Sequence, residues 1–120
     1  MQKERVYYPL TKAQESVQII ENFYPGTSFV NVCGTVRIKK EVDSALFNLA
    51  VNHMLEQNEA LRTRICRQNG SQVQYIEDYC FEEVPVLDFS QGDGNSEFYR
   101  WARQMAQQPF EFYDSKLYYF

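Results

Sequence analysis

A chain of 120 residues that is 44% hydrophobic and 16% aromatic is too apolar for a disordered tail. At that length a chain buries roughly 65% of its unfolded surface, so a core is within reach without disulfides or metal. Twelve basic against sixteen acidic residues give a net charge of -4, and the Lys and Arg residues are scattered without an aromatic-interleaved basic stripe, so nucleic acid is not an expected partner.

The start, Met1 to Arg5, leads into Val6-Tyr7-Tyr8-Pro9-Leu10 with no signal-peptide apolar region, and the longest apolar runs are only a few residues. No membrane contact is expected, and the expected location is the cytoplasm. Thr11 then reads as the N-cap of a first helix, with Gln14 placed to reach back as in a capping box. Ala13, Val17, Ile20 and Tyr24 follow at helical spacing, and Pro25-Gly26 ends the element.

Ser28 to Ile38 is rich in β-branched and aromatic residues and predicts a strand, interrupted or bulged near Gly34. Asp43 or Ser44 caps a second helix that runs to about Gln57. Its apolar stripe carries Leu46, Leu49, Ala50 and His53, and Ala45, Phe47, Val51, Met54 and Leu55 fill much of the rest, so burial on more than one side is expected. Ala60 to Arg67 and Ser71 to Glu77 predict a hairpin around Asn69-Gly70, the dipeptide suited to a type I′ turn. That register sets Arg62 opposite Glu77, Arg64 opposite Tyr75 and Cys66 opposite Val73.

Val84 to Leu87 predicts a short edge strand, because Pro85 cannot donate to a ladder. After the polar loop Asp88 to Gly94, Asn95 or Ser96 caps a third helix with Phe98, Trp101, Ala102 and Met105 on one face, and Pro109 stops it. A last strand is predicted over Lys116 to Phe120. The order describes one α/β unit over residues 1–120, with no repeat or linker.

Chemistry is sparse. His53 is the only histidine, so mechanisms needing two are excluded within the chain, and its place in the stripe predicts a packed or boundary residue. Cys33, Cys66 and Cys80 lie far apart without metal-ligand spacing and are expected to be reduced structural thiols. No nucleophile elbow, phosphate loop or calcium loop is present, so no catalytic, metal or cofactor residue is assigned. Glu77, Asp78, Glu82 and Glu83 are expected to form a solvated hairpin end. Arg62 stands where a buried helix gives way to a strand and must reach solvent or a partner, with Glu77 as the local candidate.

The segment Glu59-Ala60-Leu61-Arg62-Thr63 resembles the Arg-His-Glu-x-Leu-Arg-Thr signature of nonribosomal peptide synthetase condensation domains, without its leading Arg and His. Pro9-Leu10-Thr11-Lys12-Ala13-Gln14 is similar to the family's first signature, though Ser16 and Gln18 depart from it. Val42-Asp43-Ser44-Ala45-Leu46, the stretch Gly70 to Gln74, and Pro109-Phe110-Glu111-Phe112 with Leu117 resemble further family segments in the same order.

The resemblance implies the N-terminal lobe of a chloramphenicol-acetyltransferase-like fold, a two-layer sandwich of mixed sheet and helices, lacking the second lobe and the His-His-x-x-x-Asp-Gly motif. It implies amide formation between a carrier-bound thioester donor and an amine acceptor on phosphopantetheine arms, with carrier domains and the C-terminal lobe as partners. It makes Arg62 and Glu59 a structural brace, and Thr11 and Gln14 the cap of the first signature. The lobe alone is expected to be inactive and to self-associate. Alternatives are a stand-alone interaction module binding a carrier or partner subunit, and an epimerisation, cyclisation or acyltransferase relative of the same fold.

Overall fold

The computed structural model describes residues 4–120; Met1, Gln2 and Lys3, part of the start inspected for a leader, lie outside them. The elements are β1 (Tyr8–Pro9), α1 (Lys12–Phe23), α2 (Ser44–Gln57), α3 (Glu59–Arg62), β2 (Thr63–Gln68), β3 (Ser71–Ile76) and α4 (Gly94–Gln107). The fold is α/β. Its sheet has the order β1-β3-β2 with both pairings antiparallel, and an isolated parallel bridge joins Ile65 to Tyr113. None of the helices among the described residues is long and apolar enough to cross a membrane.

Local chemistry explains the parts that match expectation. Thr11 caps α1 in a full capping box: its Oγ1 accepts from the Gln14 amide at 3.2 Å, and Gln14 Oε1 accepts from the Thr11 amide at 2.7 Å. Asp43 caps α2 by accepting from the amides of Ala45 and Leu46. Asn69 and Gly70 both take positive φ, 51° and 78°, as a type I′ turn requires, and Arg64↔Tyr75 and Cys66↔Val73 pair as predicted. The Asn-Gly turn therefore sets the hairpin register.

Other expectations are corrected. Residues 28–38, 84–87 and 116–120 form no strand, because a strand exists only where a neighbour completes its ladder. Residues 60–62, expected as the start of the hairpin, belong instead to the helical turn α3, and β2 begins at Thr63. The cap of α4 is Asp93, not Asn95 or Ser96, and accepts from Ser96. Gly94 opens that helix under the Phe89 carbonyl, where a Cβ would lie 1.8 Å from the oxygen, so no side chain fits.

The face of α2 also differs. His53, Leu46 and Leu49 are exposed, while Val51, Asn52 and Leu55 are buried. These join Arg64, Ile65, Cys66 and Tyr75 as the core under the hairpin. Cys66 is the buried thiol, its pKa pushed up by burial, whereas Cys33 and Cys80 are exposed; all three are free. The three are free thiols as expected, but only Cys66 is packed as a structural one. The whole is open, with a radius of gyration of 17.2 Å against roughly 14 Å for a compact chain of this length.

Candidate functional site

Arg62 lies at the junction of α3 and β2, and its guanidinium is spent on carbonyls. Nε donates to Leu55 O at 3.0 Å, one terminal nitrogen to Glu77 O at 2.6 Å and the other to Glu56 O at 3.2 Å. Two of these are carbonyls at the C-terminal end of α2, where the helix leaves acceptors without intrahelical donors. Glu77 is thus the partner of Arg62, but through its main chain; its amide in turn donates to Arg62 O at 2.9 Å. Glu59 is exposed, and its carbonyl accepts from the Thr63 hydroxyl at 3.1 Å.

The carboxylate of Glu77 goes instead to Arg64, at 2.8 Å. Arg64 is only 3% exposed and also donates to the carbonyls of Leu61 and Thr63. Sequence reasoning sets Arg64 opposite Tyr75 but gives the Glu77 carboxylate to Arg62, and so misses this pair. The signal that could have found it is a charged residue between Thr63 and the apolar pair Ile65-Cys66, set opposite Tyr75 by the turn.

Glu82, expected on a solvated end, is half-buried and accepts from Lys116 Nζ at 2.9 Å and from the Tyr118 hydroxyl at 2.8 Å. Burial alone would raise its carboxyl pKa, but those two hydrogen bonds and the nearby cations outweigh it and hold the group below its usual value. Burial and the Glu82 carboxylate push the Tyr118 hydroxyl up to about 12. Asn52, 3% exposed on α2, grips the backbone of the same residue: its Nδ2 donates to Glu82 O at 2.7 Å and its Oδ1 accepts from the Glu82 amide at 2.8 Å. Asn48, one turn back, accepts from the Val84 amide at 3.0 Å. The expected edge strand over 84–87 is thus replaced by chain held on helix side chains.

Gln14 joins the first helix to the hairpin. Its Nε2 donates to Gln74 Oε1 at 2.6 Å, and Gln74 Nε2 donates to Pro9 O at 2.8 Å. The N-terminal stretch Pro9–Gln14 is thus tied at two points to Gln74, some sixty residues on in β3. His53 lies away from this site on the outer face of α2, 3.9 Å from Glu56.

The family model described as the condensation domain matches residues 4–120. Surfactin synthase subunit 1 of Bacillus subtilis (strain 168) is 32% identical over 121 residues, covering 98% of this chain and 3% of the synthase. Tyrocidine synthase 3 of Brevibacillus parabrevis is 32% identical over 81 residues, covering 68% of this chain and 1% of that one. The starter condensation domain of rhizomide synthetase superposes with a TM-score of 0.83 at 24% identity, covering 93% of this chain and 28% of that one. The chain spans a small fraction of these relatives' length, and the match to rhizomide synthetase speaks to fold alone. With segments Thr11–Gln14, Glu59–Thr63 and Gln74 in place on that fold, the chain belongs to the condensation-domain family of nonribosomal peptide synthetases.

Proposed function

We propose that the chain is the N-terminal lobe of a condensation domain that joins a carrier-bound acyl or aminoacyl thioester to a carrier-bound amine, and that alone it is inactive. In that reaction the amine nitrogen attacks the thioester carbonyl, the carbon–sulfur bond breaks, and the amine proton leaves with the thiol of the donor arm. Both substrates hang on phosphopantetheine arms, so carrier domains and a C-terminal lobe are the partners, in the cytoplasm. The base comes from a histidine motif outside residues 1–120.

The state of Arg62 supports this reading. Its three acceptors are neutral carbonyls, and the carboxylate expected across the hairpin, Glu77, is committed to Arg64. Among the described residues no carboxylate pairs with Arg62, so the cation keeps its charge and, of five N–H donors, two to spare. A carboxylate arriving from the histidine motif would complete it, and a half-paired guanidinium is the scaffold such a brace needs. Arg62 is thus a positioning residue, with Glu59 and Thr63 shaping its turn.

The test is amide formation from a carrier-loaded donor and a carrier-loaded amine. The 120-residue chain alone is expected to give no product, and joining it to a C-terminal portion that carries the histidine motif is expected to restore turnover. Amide made by the chain alone, or none made by the joined protein, overturns the proposal. In the joined protein Arg62→Ala is expected to lower both melting temperature and turnover, with Arg62→Lys recovering part of each.

A further inference from the structure

The apolar stripe of α2 faces away from the core. Leu46, Leu49, Ala50 and His53 stand at i, i+3, i+4 and i+7, and at about 100° per residue they lie opposite Val51, Asn52 and Leu55, which are buried. Leu46 is 64% and Leu49 57% exposed, and Ala50 and His53 are exposed with them. Phe47 and Met54, also exposed, share one flank of the stripe. A contiguous apolar face of this kind marks a surface that meets a partner.

Shape and charge both say which partner fits. Ala50 lies in the middle of the stripe, with Leu46 about 6.0 Å along the axis to one side and His53 about 4.5 Å to the other, so a second helix can cross there at the close end of the usual range of about 8–10 Å. Lys39 and Lys40 precede the helix, and among the described residues neither forms an ion pair, whereas Glu56 and Glu59 stand at its far end. Of the other charges, the Asp43 carboxylate is held by the amides of Ala45 and Leu46, Arg62 is turned onto carbonyls, and Glu41 alone opposes the lysines. The helix dipole adds to this polarity, positive at the lysine end and negative at the glutamate end. A copy of α2 turned end for end meets each end with its opposite, and a copy laid parallel meets like with like.

From these observations we infer that α2 pairs antiparallel with α2 of a second copy of this chain, about a two-fold axis at Ala50. Leu49 then packs beside Leu49 of the other copy, Leu46 lies level with Met54 of the other copy, and each lysine pair approaches the far glutamates. The contact is isologous and closes on itself. A helix of 14 residues is only about 21 Å long and falls short of the roughly 800 Å² per partner of a standard contact, so the dimer is reversible and grows with concentration. The inference does not require the reaction proposed above.

Sedimentation velocity over a concentration series tests it, on the 120-residue chain and on the joined protein described above. Both are expected to pass from monomer to dimer. Leu49→Lys is expected to leave the melting temperature unchanged, because the site is exposed, and to weaken the dimer at least about tenfold, because two ammonium groups would face each other in an apolar contact. Orientation is read by disulfide formation with oxidised glutathione, in a chain carrying Cys33→Ser and Cys80→Ser. Ala50→Cys is expected to cross-link, since the two Cα atoms come within about 5 Å at the axis. Leu46→Cys is expected not to, since the two sites are about 12 Å apart along the axis. Monomers throughout, a dimer that Leu49→Lys leaves intact, or a cross-link from Leu46→Cys and not from Ala50→Cys overturns the inference. A dimer of the chain that is absent from the joined protein gives the α2 face to the rest of the domain and overturns it as well.

Discussion

The stretch from α2 to Val84 and the stretches on either side of it use similar apolar residues to opposite effect. Every buried residue among those described lies from Val51 to Tyr75, while α1 and α4 contain none and residues 28–38 leave Val32 and Val36 in water. The middle stretch finds its partners close in sequence: a helix, a tight turn and a hairpin fold back on one another within a few tens of residues. The flanking stretches hold together through scattered polar links, such as Asn31 Nδ2 donating to the carbonyls of Ala106 and Gln108. Apolar composition provides the drive to bury surface, and topology decides which surface finds cover.

Substitutions that spare one region and damage the other sharpen this contrast. Leu55→Ala, at a site 2% exposed, is expected to cost about 3–4 kcal/mol in urea unfolding of the chain. Asn52→Ala strands the Glu82 amide and carbonyl and should cost about 2–3 kcal/mol by the same melt. Glu77→Gln leaves Arg64 buried with only carbonyl partners; because Glu77 is half exposed, the expected loss is smaller, about 1–2 kcal/mol. Val32→Ala should shift the midpoint by no more than about 0.5 kcal/mol, and a loss like that of Leu55→Ala would erase the contrast.

The link between the two regions has its own pH dependence. The folded Glu82 carboxyl titrates below its unfolded value, so its contribution is complete above the ordinary carboxylate range and fades as pH falls through the folded pKa. Tyr118 has the opposite sign. Its folded pKa of about 12 lies above the usual 10, so its contribution is complete below pH 10 and is lost as pH rises toward 12. In an ultraviolet titration of the nine tyrosines, Tyr75, Tyr79 and Tyr118 are expected to ionise above the usual range, Tyr118 last, and Glu82→Gln should remove the part of the Tyr118 shift that burial does not cause. A last-ionising ring that Glu82→Gln leaves unmoved would break the assignment.

How much is legible in the sequence follows the same division. The Thr11–Gln14 box, the Asp43 cap and the Asn69-Gly70 turn are local, involving groups a few residues apart, and all stand as read. The buried face of α2 escapes the sequence because hydropathy favours Leu46, Leu49 and His53, whereas the helix turns in Asn52 to hold main chain, a use of polarity that no periodicity reports. The need of Arg62 for Glu77 is legible, but the choice of carbonyl over carboxylate is not. The strands expected over 28–38 and 116–120 do not form, because an alternating pattern supplies no partner for its ladder.

The asparagine pair on α2 has a geometric consequence. Residues four apart on a helix rise by about 6.0 Å, and residues two apart on an extended chain advance by about 6.6–6.8 Å. Asn52 and Asn48 can thus meet Glu82 and Val84 almost in step. By a third rung, at Ser44, the two repeats would be roughly 1.2–1.6 Å apart, half the length of a hydrogen bond. The match behaves as a vernier: it locks over one turn, drifts out over the next, and so sets the point at which the chain is released from the helix without any residue dedicated to stopping it.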